Sequence, residues 1–191
     1  MNEKTRIIVG TGILTAIVIV LQSLASGIRF GTFSISLVLV PIVVGAALYG
    51  WRCGAWLGLV FGIVVLMTDS GVFLAINAPG TIITCILKGM LAGTCAGLIY
   101  KAFEKKNKLV AVLSAAIVCP VVNTGIFLLG SVIFFLDTLR EWGSGAGYDN
   151  VGVYLIFGFV GINFVIEMCV NIFLSSAITT ILNVIKKPAK A

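Results

Sequence analysis

Histidine is absent from these 191 residues. That excludes a His-ligated metal centre and a Ser-His-Asp hydrolase. Charge is nearly as scarce: 10% of the residues are Asp, Glu, Lys or Arg, and only seven are acidic, where a soluble domain carries about 25% charged residues. A water-soluble globule is therefore excluded. No Gly-x-x-x-x-Gly-Lys-Ser/Thr run is present, so the chain does not hydrolyse ATP with a phosphate loop of that kind. No nucleophile and base lie at a sensible spacing, which argues against an enzyme. The five cysteines (53, 85, 95, 119 and 169) are odd in number and scattered through apolar stretches. They read as small buried hydrophobes rather than disulfides or metal ligands. Neither a metal nor a cofactor is expected.

What is abundant is apolar: 60% of the residues, with a mean hydropathy of +1.17. The expectation is an all-α integral membrane protein. At roughly 20 residues per span, six spans use about 120 residues. Only short loops remain, so residues 1–191 form a single six-helix membrane domain. The first apolar run is too long, and lacks the small-residue cleavage site, for a removable signal peptide. The spans are read as Ile7–Ala25, Ile35–Tyr49 (interrupted by Pro41), Ala55–Thr68, Thr81–Tyr100, Leu109–Leu136 and Val151–Ile185. Gly50–Gly54 reads as a tight turn, Asp69–Gly80 as a loop with a short re-entrant centre, and Asp137–Asn150 as a polar loop. Two series of small residues would let helices approach closely: Gly12-x-x-x-Ala16 in the first span, and Gly89, Gly93 and Gly97 in the fourth.

Lys and Arg set the orientation. The N-terminus, the 50–54 turn, the 101–108 loop and the C-terminus hold ten of them, and the opposite side holds Arg29 and Arg140. The positive-inside rule puts both termini in the cytoplasm. The net charge of +6 is thus mostly a topology signal with some attraction to anionic lipid, and no nucleic acid partner is expected.

Against this background the polar residues inside the spans stand out. Asn163, Glu167 and Asn171 recur every four residues, so one helix face carries all three. Ionisable groups within a membrane usually face a cavity or a partner. Lys88 lies about 10 Å below the outer end of its span at 1.5 Å per residue, and Asn123 sits near the middle of the fifth. Lys88, Asn123, Asn163 and Glu167, with Asn77 from the 69–80 loop, could line an outward-open site for a small polar solute. Lys88 suits an anionic or carbonyl oxygen, the Asn side chains suit amides or hydroxyls, and Glu167 suits a hydroxyl or amine. Each has a plainer reading. Lys88 and Glu167 could staple two helices together. Asn123 could satisfy backbone freed by Pro120. Asn171 reads as a helix–helix hydrogen bond, Asp69 as a helix-end residue, and Trp142 and Tyr148 as interfacial anchors. A different class of function, a stand-alone proton-coupled carrier or channel titrating through Glu167, stays open on the residues alone.

The run from Phe33 to Gly62 contains Pro41, then Gly45-Ala-Ala-Leu-Tyr-Gly50-Trp-Arg-Cys-Gly54, then Gly58 and Gly62. It resembles the substrate-binding S components of energy-coupling factor (ECF) vitamin transporters. Lys88-Gly-Met-Leu-Ala-Gly93 before a basic loop is similar too, as is Pro120-x-x-Asn123-Thr124-Gly. The resemblance covers the whole chain. It implies a bacterial plasma-membrane subunit that binds a vitamin from outside with high affinity and works with a transmembrane T component and two cytoplasmic ATPase subunits. Pantothenate is the favoured cargo, since a carboxylate would suit Lys88; riboflavin follows, with folate and queuosine-type nucleobases behind. The family's Ala-x-x-x-Ala docking series in the first helix is here Gly12-x-x-x-Ala16, and Trp51 replaces the usual Pro of the turn. Gly12 and Ala16 are thereby the expected docking positions.

Overall fold

The computed structural model describes residues 2–27 and 37–185, and regular structure among the described residues is entirely helical. The elements are α1 (Glu3–Gly27), α2 (Leu39–Tyr49), α3 (Trp51–Thr68), α4 (Gly71–Ile76), α5 (Ala78–Phe103), α6 (Lys108–Gly145), α7 (Val151–Val153) and α8 (Gly161–Ile185), with a π-helical segment, Tyr154–Val160, running into α8. Asparagine starts three of them. Asn77 accepts from Gly80 N at 3.0 Å, Asn107 from Leu109 N at 2.9 Å and Asn150 from Gly152 N at 2.7 Å, each covering an amide with no partner inside its helix.

Among the described residues five helices are long and apolar enough to cross a membrane, where the sequence predicts six spans. The exception is α2. Its 11 residues are buried almost throughout, and it packs against α1, α3, α5, α6 and α8. A helix apolar on all sides belongs at the centre of a bundle, and Leu39, Ile42 and Val43 are fully buried there. Pro41 does not interrupt this helix. It lies in the first turn, where a proline costs no helical hydrogen bond. Ile35 and Ser36 of the expected second span, and Arg29, lie outside the described residues. The outer helices expose apolar side chains instead: Ile8 on α1, Met67 on α3 and Phe173 on α8 are each more than two-thirds exposed. Such a surface suits lipid and not water.

Two expected loops are shorter than their sequence suggests. The 50–54 turn contracts to Gly50 alone, whose φ of 89° folds α3 back against α2, a backbone region favourable to glycine. The expected 137–150 loop is helical as far as Gly145, because α6 changes direction at Phe135 (φ −135°, ψ 17°) and then continues.

α3 and α5 meet backbone to backbone. A Cβ added at Gly58 would strike the Gly89 carbonyl, one at Gly54 the Gly93 carbonyl, and one at Gly62 the Cys85 carbonyl. The two glycine series thus face each other in antiparallel register. This close contact fixes which face of α5 turns inward. Thr81, Thr84 and Lys88 share that face at helical spacing.

Candidate functional site

A cavity of about 130 Å³ lies at the α4 end of the bundle, between α3, α4, α5 and α6. α5 lines it with Thr81, Thr84, Cys85 and Lys88. Asp69 and Ser70 come from the end of α3, Phe73 from α4, and Phe127, Ser131 and Phe135 from α6. Its wall is aromatic on one side and hydroxyl-bearing on the other.

Lys88 is the cation of this cavity. Its Nζ lies 4.9 Å from the centre of the Phe127 ring and 5.7 Å from that of Phe61. The negative faces of two rings partly offset its desolvation. No ion pair joins it to Glu167 among the described residues, although the Lys88 charge acts on that carboxyl. The helix staple weighed from sequence is therefore not a hydrogen-bonded pair.

Close by, Thr84 and Ser131 are 5% and 1% exposed, and the Thr84 Oγ1 has no hydrogen-bond partner. A buried hydroxyl without a partner is costly. Here it faces a cavity that also holds a lysine.

At the α3 end of the cavity, Asp69 Oδ2 accepts from Gln22 Nε2 at 2.7 Å and from Thr68 Oγ1 at 3.3 Å. Asp69 does end a helix, as read from sequence, yet its carboxylate also belongs to the cavity wall. α4 borders the cavity through Phe73. Phe73 packs edge-on against Phe135 (5.1 Å between centroids), Trp142 (5.7 Å), Phe159 (6.2 Å) and Phe127 (6.3 Å). Trp142 is thus part of an aromatic cluster and not only an interfacial anchor, and Tyr148 packs on Tyr154.

The other expected site residues fall elsewhere. Asn77 uses its side chain to cap α5. Asn123 is buried with its Oδ1 unpartnered, and so is the Oδ1 of Asn163. Asn171 is fully buried, but its amide donates to the Glu167 carbonyl at 2.8 Å within its own helix and not across to another, and its Oδ1 has no partner. Neither Asn123, Asn163 nor Glu167 lines the Lys88 cavity. Among the described residues no group of His, Cys, Asp and Glu could hold a metal ion. A larger groove between α6 and α8, lined by Thr124, Gly125 and Phe164 among apolar neighbours, has no charged wall and suits a lipid chain.

Gly12 and Ala16 lie on an open face of α1. A Cβ at Gly12 would meet nothing within 4 Å, and Ala16 is exposed.

The family model described as ECF transporter, substrate-specific component matches residues 6–184. The pantothenic acid transporter PanT of Lactococcus lactis subsp. cremoris (strain MG1363) is 27% identical over 153 residues, covering 72% of this chain and 72% of the relative. No solved structure matches.

Proposed function

Because the chain belongs to the ECF transporter substrate-specific component family, and is with it a multi-pass plasma-membrane transport protein, we propose that it is the subunit that captures pantothenate from outside the cell. It is a binding subunit and not an enzyme. It hands the vitamin to a transmembrane T component energised by two cytoplasmic ATPase subunits. Both termini lie in the cytoplasm, so the α4 end of the bundle faces outward.

The observation that carries this reading is Lys88, a lysine half-buried between two phenylalanine rings beside an unpartnered hydroxyl in one cavity. A carboxylate ligand would accept charge-assisted hydrogen bonds from Lys88 and Thr84 at once. The relative that transports pantothenic acid supports the choice of acid. Asn123 and Asn163, with unpartnered amide oxygens in the interior, and Glu167 are kept as candidate contacts of a ligand seated more deeply. Asn77 acts through the start of α5.

Calorimetric titration of the purified chain in detergent against pantothenate, riboflavin, folate, thiamine and biotin tests this. Tight one-to-one binding of pantothenate alone is expected. Tight binding of a different vitamin would keep the class and replace the cargo.

A further inference from the structure

Among the described residues, none from α8 or from the π-helical segment lines the Lys88 cavity. One ring of that segment nevertheless reaches the cavity at one remove. Phe159 lies nearly parallel to Phe127, with 5.7 Å between ring centroids and 22° between planes. Phe127 in turn carries the Lys88 Nζ over its ring at 4.9 Å. Phe159 also meets Phe73 of α4 at 6.2 Å and Trp142 of α6 at 6.4 Å. A single side chain thus joins the π-helical segment to α4, to α6 and, through Phe127, to the cation.

The helical register accounts for its position. The rings of Tyr154 and Phe159 are 5.9 Å apart although the residues are five positions apart in the chain. At 3.6 residues per turn those two side chains would point about 140° away from each other. Hydrogen bonding from i to i+5, the π pattern, brings both to one side of the helix. Ile156, Phe157 and Gly158 are turned outward between them. The last π turn closes on a glycine: a Cβ at Gly161 would strike the Ile156 carbonyl, five residues back. π turns are rare and are frequently found at functional sites.

We propose that Phe159 is a positioning residue of the solute site, and that the π register is what places it there. Phe159 holds the Phe127 ring in the orientation that faces Lys88, and Phe127 holds the ammonium where a carboxylate meets it together with Thr84. Without the Phe159 ring, Phe127 has room to turn towards the π-helical segment, and Lys88 loses one of its two aromatic supports. The consequence is selective: an anionic group on the solute is affected and a neutral one is not. This rests on the pantothenate reading above, in which the carboxylate is the group at Lys88.

The test is a ligand cycle on the full-length chain. Pantothenate and the analogue with CH₂OH in place of the carboxylate are titrated against wild type, Phe159→Leu, Phe159→Tyr, Gly161→Ala, Lys88→Ala and the Phe159→Leu, Lys88→Ala double variant. Phe159→Leu should lose about two- to tenfold in pantothenate affinity, the range of one aromatic pair, and nothing for the alcohol. Phe159→Tyr, which keeps the ring, should bind as wild type. In the Lys88→Ala background Phe159→Leu should cost no further affinity. Gly161→Ala leaves every ring in place and disfavours the π turn, so it should reproduce the Phe159→Leu pattern, and it carries the test if Phe159→Leu does not fold. Equal loss for acid and alcohol, no loss for either, or the same further loss without Lys88 overturns the inference and leaves the pantothenate reading standing. Wild-type binding by Gly161→Ala overturns the role given to the π register. A wild type that binds no pantothenate overturns both readings.

Discussion

A lysine in a membrane helix must offset the burial of its charge, and an acid at hydrogen-bonding distance is the usual means. At Lys88 the structure supplies the faces of Phe61 and Phe127 instead. These partly compensate a charge and leave the ammonium donors available to a ligand. Lys88→Ala should therefore weaken pantothenate binding by about 1.5–3 kcal/mol, the range of a charge-assisted hydrogen bond, while the variant remains folded. Titration calorimetry measures the loss, and unchanged affinity would make Lys88 a packing residue. Lys88 was legible in the sequence because a charge in an apolar run is rare. Its neighbour Thr84 was not. Hydroxyls in apolar helices ordinarily return to the carbonyl one turn back, and Thr15, Thr68, Thr81 and Thr94 do so at 2.7–2.9 Å. Nothing in the sequence separates Thr84 from these, because only the tertiary packing leaves its oxygen unpartnered. Conversely, the regular Asn163–Glu167–Asn171 stripe is plain in the sequence, but the Asn171 amide donates within its own helix.

Pairs of helices decide how the site is framed. The Gly89–Gly93–Gly97 series reads as a close-packing face in the sequence, but its pairing with Gly54, Gly58 and Gly62 depends on the register of two separate helices. Gly58→Leu would drive a side chain into the Gly89 backbone, which cannot rotate away as a side chain could. Overpacking of this kind costs about 1–3 kcal/mol and sometimes more. A lower melting temperature in detergent, with weakened ligand binding, is expected. A variant as stable as wild type would show that α3 and α5 can separate freely. α4 was legible only as a short piece within a loop, since six residues carry too little periodicity to fix a role. It becomes interpretable through Phe73 and the four aromatic rings around it. The cavity beneath, about 130 Å³, is smaller than the pockets of about 300 Å³ and upward that enclose drug-sized ligands. If a vitamin binds here as proposed, the cavity must widen, and α4 is the shortest helix in its wall. Phe73→Ala should speed both entry and release of pantothenate, with release accelerated more because the closed state loses its aromatic contacts. Stopped-flow fluorescence of Trp142, which packs on Phe73, would follow both rates. Rates equal to wild type would remove α4 from the gating step.

For the molecule as a whole, the two small-residue series have opposite surroundings. The glycines of α3 and α5 are packed against backbone, whereas Gly12 faces open space and Ala16 is exposed. α1 is held along its other side by Gln22 on Asp69, Thr11 on Cys53 and Trp56 on Thr15. Its free face is thus apolar and presented by a helix already anchored to the rest of the bundle. In a bilayer no hydrophobic gain drives helices together, so association depends on close backbone approach at small residues. An open series of this kind can be covered by lipid or by another helix, and membership of a family of transporter subunits favours the helix of a T component. Gly12→Leu together with Ala16→Leu distinguishes the two. Because a Cβ at Gly12 meets nothing, the double variant should keep wild-type melting temperature and pantothenate affinity. It should fail to co-purify with the T component and ATPase subunits and should lose ATP-dependent uptake in proteoliposomes. Full assembly and uptake by the double variant would mean that lipid covers this face and that the T component docks elsewhere on the bundle.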